Sequence, residues 1–248
     1  MNIYTYDGTF PGFLSLIYYC YNMRKIPDII FKNHNPTIFN LMDSIKTDYE
    51  KSRIVIAFII HKLSKDVLRN IYLAYLSEIE NIEVDIIKYF NLSIKLNENA
   101  EFYIDKDYVL NVKNAIHKVL NETHKFKGLL RFRELKDNTL YAPFEPDHNI
   151  ITLLSSHFKD RLKNENWVIH DLRRNLALVY KNGKIELFEV VNNKQNFYLK
   201  EENLSYLENE YQIFWKNYFI SSEIRERLNP KLQRQFMPKR YWKYLTEF

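Results

Sequence analysis

Cysteine is nearly absent from this 248-residue chain, which has a single one, Cys20. One thiol cannot close a disulfide within the chain, and it cannot supply a cysteine-based zinc site or an iron–sulfur cluster. Cys20 sits in the largely apolar run from Phe13 to Tyr21, which reads as a buried, inert thiol. Glycine is almost as scarce, with Gly8, Gly12, Gly128 and Gly183 making up all four. No glycine-rich phosphate loop can be assembled from these, which excludes a P-loop NTPase and a Rossmann dinucleotide site. No apolar run approaches the ~20 residues of a membrane-spanning helix, and Ile54 to Ile60 falls far short. The start of the chain lacks a basic n-region and a cleavage site, so a cytoplasmic protein without membrane contact is expected. Internal repeats and low-complexity tracts are also missing.

What is present is a folding composition, 46% hydrophobic and 27% charged. The length suits a single α+β domain over 1–248. Within it, 1–125 reads as a mainly helical layer, 126–200 as mainly sheet and 201–248 as a helical basic tail. The formal net charge is +5. Residues 224–248 hold seven basic side chains and two acidic ones, so this tail carries the whole net charge. Arginine is skewed the same way: Arg24, Arg53 and Arg69 precede residue 125, and nine others follow it. Arginine is favoured over lysine where a planar, forked donor must grip phosphate, carboxylate or a base edge. The competing reading is a set of structural ion pairs with the 31 acids.

Residues 2–6 alternate as a short strand, and Asp7-Gly8 turns the chain into a helix that Pro27 ends. Residues 28–47 read as irregular or mixed. From Asp48 to Phe90 apolar residues recur at spacings of three and four, and a further helix is expected over 107–123. Strands are predicted over Lys127–Leu135 and Thr139–Glu145 around the turn Asp137-Asn138. A helix over 148–162 with Asp147 as its cap comes next, then a strand at Trp167–His170. Asn182-Gly183 is the strongest hairpin signal, joining strands over 175–180 and 184–191. An aromatic-rich helix follows over 203–220, then one capped by Ser222 that stops before Asn229-Pro230. The sum is an antiparallel sheet built largely from 127–191 plus the N-terminal strand, covered by helices: an α+β fold.

Several groupings could carry chemistry. Arg131 and Arg133, on an apolar strand face with Leu129 and Leu135, need partners or a ligand. Glu145, held between Pro143 and Pro146, leads through Asp147 and His148 into a helix start, where anions and free amides are at home. His157 and Arg161 fall near the apolar stripe of that helix. His170-Asp171 at a strand end resembles an acid–base pair, but neighbours in a strand point to opposite faces. Arg173 and Arg174 follow it. A metal site from His148, His157, His170 and a carboxylate lacks any ligand-spacing motif, so no metal and no cofactor in this chain are expected. In the tail, Arg225, Arg227, Lys231, Arg234, Lys239 and Arg240 interleave with Phe236, Tyr241 and Trp242. That pattern suits nucleic acid, with cations on phosphates and rings on bases. It equally suits a solvated helix face with aromatic anchors.

At these residues the sequence resembles the bacterial "probable DNA metabolism protein" family, a domain of unknown function. The resemblance rests on Tyr6-Asp7-Gly8-Thr9-Phe10 with Gly12-Phe13, Thr47-Asp48, Gly128-Leu129-Leu130-Arg131-Phe132 and Pro146-Asp147-His148-Asn149. It continues through His157-Phe158, the segment Ile169 to Arg174, and Asn229-Pro230 to Trp242. The resemblance implies a neighbouring radical-SAM protein thought to act in DNA modification or repair. It also implies that similar domains are sometimes fused to a uracil-DNA-glycosylase-like domain. It supplies no established catalytic set.

The first reading is therefore a nucleic-acid-binding component of a DNA repair or base-modification system with a radical-SAM partner. Arg227, Arg234, Arg240, Tyr241 and Trp242 grip the strand, supported by Arg173 and Arg174. Arg131, Glu145, His148, His157 and His170 line a central pocket. The second is an autonomous nucleic-acid hydrolase or glycosylase, with Glu145 or Asp147 as base and His148, His157 or His170 as acid. The third is a protein-interaction adaptor that binds no nucleic acid.

Overall fold

The computed structural model describes residues 1–32, 42–97, 99–190 and 203–248. They form two compact units, Met1–Leu120 and Asn121–Phe248. Among the described residues, no helix is long and apolar enough to cross a membrane.

In the first unit β1 (Ile3–Tyr6) lies between β2 (Ile29–Lys32) and β3 (Met42–Ser44), parallel to both. The N-terminal strand thus belongs to a small parallel sheet of its own and does not join the main sheet. Parts of 28–47 that read as irregular supply its two outer strands. The helices are α1 (Phe10–Met23), α2 (Tyr49–Lys62), α3 (Lys65–Leu76), α4 (Ile82–Leu96) and α5 (Asp107–Leu129), the last continuing into the second unit. Thr9 caps α1 by accepting from the Gly12 amide, and the chain leaves the helix at Arg24 in the left-handed region (φ 52°). Phe13, Leu14, Leu16, Ile17 and Cys20 are its buried face. The helical pattern over Asp48–Phe90 resolves into three helices, because Ser64 caps α3 and Glu78 and Asn81 take positive φ before α4.

Two polar groupings brace this unit. Glu83 is 3% exposed and is met by the Lys32 ammonium at 2.5 Å and the Tyr6 hydroxyl at 3.3 Å. Asp7 accepts from the Thr9 amide (3.0 Å), the Thr9 hydroxyl (2.8 Å) and the Thr47 hydroxyl (2.5 Å). Gly12 lies against this carboxylate so closely that a Cβ would stand 2.1 Å from Asp7 Oδ1.

The second unit is built on a five-stranded sheet. Its strands are β4 (Arg133–Glu134), β5 (Leu140–Phe144), β6 (Trp167–Asp171), β7 (Leu176–Lys181) and β8 (Lys184–Glu189), in that order. Both hairpins form where the turn residues placed them. Asn138 takes φ 62°, and Asn182 and Gly183 take φ 52° and 79°, the conformation that asparagine and glycine tolerate best. The sheet is mixed, not wholly antiparallel, because β5 and β6 pair parallel from Leu140↔Trp167 to Phe144↔Asp171. A parallel pair needs a crossover, and here it is a 3₁₀ turn (Ile151–Leu154) followed by α6 (Ser155–Arg161).

Other boundaries differ from the sequence reading. The strand expected at Lys127 begins only at Arg133, because α5 runs on to bury Phe126 and Leu129 at helical spacing. Arg131 and Arg133 consequently share no strand face with Leu129. The helix expected over 148–162 is shorter, and Asp147 does not cap it, since neither the 3₁₀ turn nor α6 has a side-chain cap. The helix expected from 203 starts later, as α7 (Glu208–Ser221). The helix expected to be capped by Ser222 is a single 3₁₀ turn, Arg225–Arg227, without a side-chain cap, and Ser222 instead ends α7; α8 (Pro230–Phe236) starts after Asn229, which caps it. Val191, the expected end of the last strand, lies outside the described residues.

Candidate nucleic-acid interface

The most constrained part of the second unit is the turn after β5, residues 145–148. Glu122, on α5 and 6% exposed, accepts from the backbone amides of Asp147 and His148, both at 2.8 Å. Its Oε1 also accepts from the Tyr241 hydroxyl at 2.5 Å. Glu122 thus fixes the turn itself, since the amides it binds precede the 3₁₀ turn that starts at Ile151. Below it Phe126 packs edge-on against Phe144 and Tyr241, at 5.0 and 4.6 Å between centroids. Arg174 holds the turn from the β6 side. It donates to the carbonyls of Pro146 (3.2 Å) and Asp147 (2.9 Å) and to the Asp171 carboxylate (2.9 Å). Asp171 is fully buried and also accepts from the amides of Arg173 and Arg174.

The segment from Pro238 to Glu247 lies over this turn and is pinned at several points. Arg240 pairs with Asp147 (2.5 Å) and stacks its guanidinium 4.7 Å from the centre of the Tyr241 ring. Lys243 and the Tyr244 hydroxyl both meet Glu145, at 2.6 and 2.7 Å. Glu247 binds Arg131 through two contacts, 2.6 and 3.1 Å, and accepts from the Trp215 indole at 3.1 Å. Burial alone would raise the Glu145 and Glu247 carboxyls. The hydrogen bonds from Lys243 and Tyr244, and from Arg131, outweigh it and hold both below the ordinary glutamate value.

The residues singled out from sequence therefore separate into groups. Glu145, the His148 backbone, Arg173, Arg174, Arg240 and Tyr241 come together around the turn, and the polar contacts that gather them are internal. Arg173 approaches Asp147 at 3.9 Å and is exposed. Trp242 stacks on Phe248 at 4.0 Å and donates its indole N–H to the Met237 carbonyl. His157 packs edge-on against Phe158, and its Nε2 is buried without a hydrogen-bond partner among the described residues. His170 is 2% exposed, with Nδ1 2.7 Å from the Tyr141 hydroxyl, and burial lowers its pKa, which favours the neutral ring. His170 and Asp171 have different partners, as their opposite strand faces require. Of Arg131, Glu145, His148, His157 and His170, Arg131 lines the open groove of this unit and the other four do not. Among the described residues, no three His, Cys, Asp or Glu side chains gather where they could hold a metal ion.

Two features escaped the sequence reading. The first is that groove, about 800 Å³, between α7 and the segment Leu130–Phe132. Its walls include Tyr211, Phe214, Trp215 and Tyr218 from α7, with Arg131 and the exposed Arg161 beside them. An aromatic-rich helix was legible, but not that its rings stay open to solvent. The second is a division among the cations. Arg131, Arg174, Arg240 and Lys243 are spent on carboxylates. Arg225, Arg227, Lys231, Arg234 and Lys239 are exposed, and none of them forms an ion pair among the described residues. Arg234 donates only to the Pro230 carbonyl, one turn back, and Lys239 lies over the Trp242 ring at 5.8 Å.

A family model described as a domain of unknown function, DUF4130, matches residues 80–247. That stretch holds α5, the turn at 145–148, the groove and the unpaired cations, and leaves out the motif Tyr6 to Phe10. No curated protein and no solved structure matches the chain.

Proposed function

The chain belongs to the DUF4130 family, and we propose that it is the nucleic-acid-binding component of a bacterial DNA repair or base-modification system that acts with a radical-SAM partner. The observation that carries the reading is the run of unpaired cations from Arg225 to Lys239, opposed along the chain only by Glu226. An arginine already held by a buried carboxylate offers little to a phosphate. Exposed, unpaired ones lose only hydration and counterions on binding a polyanion. Damage or modification chemistry on bases calls for such a grip on the backbone, and the radical-SAM partner comes from the family resemblance. The lone Cys20, buried with its thiol pushed up to about 12, leaves iron–sulfur chemistry to that partner.

The test is binding of the purified chain to labelled DNA and RNA across a salt series. If all five cations meet phosphates, the logarithm of affinity falls with log salt at a slope of about −4.5 on duplex DNA and about −3.5 on single strands. Combining Arg225→Ala, Arg227→Ala and Lys231→Ala should reduce the slope by about two to three units. Absence of binding to every substrate at low salt would overturn the reading in favour of a protein-interaction adaptor.

A further inference from the structure

We propose that the groove of the second unit takes an unpaired stretch of nucleic acid whose bases stack on α7, an inference that rests on the nucleic-acid reading above. Tyr211, Phe214, Trp215 and Tyr218 stand at i, i+3, i+4 and i+7, which places them on one face of the helix. Such a stripe is ordinarily the buried side of an amphipathic helix. Here Tyr211, Phe214 and Tyr218 are 58%, 63% and 62% exposed, and Glu208 is the only buried residue of α7.

Three large rings left in water on one wall of a groove favour a flat, apolar ligand face. Every base has such a face, and stacking on it tolerates any sequence. A duplex hides those faces in its own stack and presents phosphates and groove edges, so it would leave the α7 rings in water. An unpaired strand presents them.

The surrounding charge fits a strand and not an isolated base. Arg161 is exposed on the groove, whose walls also carry Glu134 and Glu208, while Arg131, paired with Glu247, lies 5.5 Å from the centre of the Trp215 ring, so the charge offered to a backbone comes from Arg161 and the tail. Beyond its last turn α7 runs within a few residues into the unpaired cations that start at Arg225. The two are also tied in space. Phe219 meets Phe248 at 5.6 Å, Phe248 stacks on Trp242 at 4.0 Å, and Lys239 sits over Trp242 at 5.8 Å. Rings for bases and cations for phosphates therefore adjoin. The groove volume, about 800 Å³, lies in the range of ~300–1,000 Å³ typical of ligand sites.

The experiment compares a single-stranded oligonucleotide with its duplex at one salt concentration, using the full chain, Phe214→Ala and Tyr218→Ala. Both rings are solvent-exposed, so the substitutions leave the fold intact, which a thermal melt verifies. The expected result is tighter binding of the single strand by about ten-fold or more. Each ring variant should weaken the single strand by roughly five- to one-hundred-fold and leave both the duplex affinity and the salt slope unchanged. Equal affinities for single strand and duplex, with ring variants that alter neither, would overturn this inference and leave nucleic-acid binding standing. Binding to neither would overturn both.

Discussion

Replacing Glu122 by alanine should destabilise the second unit far more than its single charge suggests. The carboxylate receives two backbone amides and the Tyr241 hydroxyl, at 2.8, 2.8 and 2.5 Å, in a site only 6% exposed. A hydrogen bond to a charged group contributes ~1.5–3 kcal/mol, and a buried donor left without a partner costs ~1–3 kcal/mol. The three bonds share one acceptor group, and the turn they hold is half-buried, so their losses do not simply add. A total of ~3–5 kcal/mol is expected, a large part of the ~5–15 kcal/mol that holds a typical domain together. Tyr241→Phe removes the bond to Glu122 and the one the hydroxyl accepts from the exposed Arg240 at 3.0 Å, and should cost ~1–2 kcal/mol. The assay is urea unfolding followed by tryptophan fluorescence, which reads this unit alone because Trp167, Trp215 and Trp242 all lie in it. In a Glu122→Ala background only the bond from the exposed Arg240 is left to lose, so Tyr241→Phe should cost clearly less than it does in the parent. A Glu122→Ala loss below ~1 kcal/mol, or full additivity of the two substitutions, would refute the account of the turn.

Two further outcomes follow from the same kind of reasoning. Glu247 has a folded pKa below its ordinary 4.5, so its contribution is complete above that pH and is lost as pH falls through the folded value. Unit 2 should therefore weaken on acidification below about pH 4.5, whereas Arg131→Met, which leaves burial to push Glu247 upward, should be less stable at neutral pH and lose this part of the acid weakening, so that its urea midpoint approaches the parent's as pH falls. Parallel urea midpoints against pH for the two proteins would contradict this. Gly12→Ala would force a methyl group to 2.1 Å from Asp7 Oδ1, a carboxylate already fixed by three hydrogen bonds. A loss of ~1–3 kcal/mol in the first unit is expected, read as alkylation of Cys20 at lower urea, and an unchanged alkylation midpoint would refute it.

What could be read in the sequence was what neighbouring residues decide. Asn182-Gly183 and Asp137-Asn138 announce hairpins because the conformations they favour are local. The helical character of the first unit follows from apolar spacing, whereas the breaks that Ser64 and Asn81 make within Asp48–Phe90 were not read. The parallel pairing of β5 and β6 was not legible, since it depends on where the crossover through α6 deposits the chain. The end of α5 was missed for a related reason. Residues 127–130 suit either a helix or a strand, and the choice falls to Phe126 and Leu129, which are buried at helical spacing. The candidate site was legible in its residue types and not in its partners. Arg131 finds Glu247 across 116 positions and Tyr241 finds Glu122 across 119, distances over which no periodicity speaks. The arginine skew in the second half was real, but it merged two populations that only geometry separates.

That separation means that salt addresses the two populations differently. Charges in water are screened beyond ~10 Å at 0.1 M ionic strength, whereas pairs removed from water are screened much less. Asp171 with Arg174, and Glu247 with Arg131, join carboxylates 0% and 1% exposed to guanidiniums 10% and 20% exposed. Arg225 to Lys239 have no such shelter. A rise in ionic strength should therefore erase the electrostatic footprint of the molecule while its architecture stands, so that whatever anion it has captured can be washed away from a chain that is still folded.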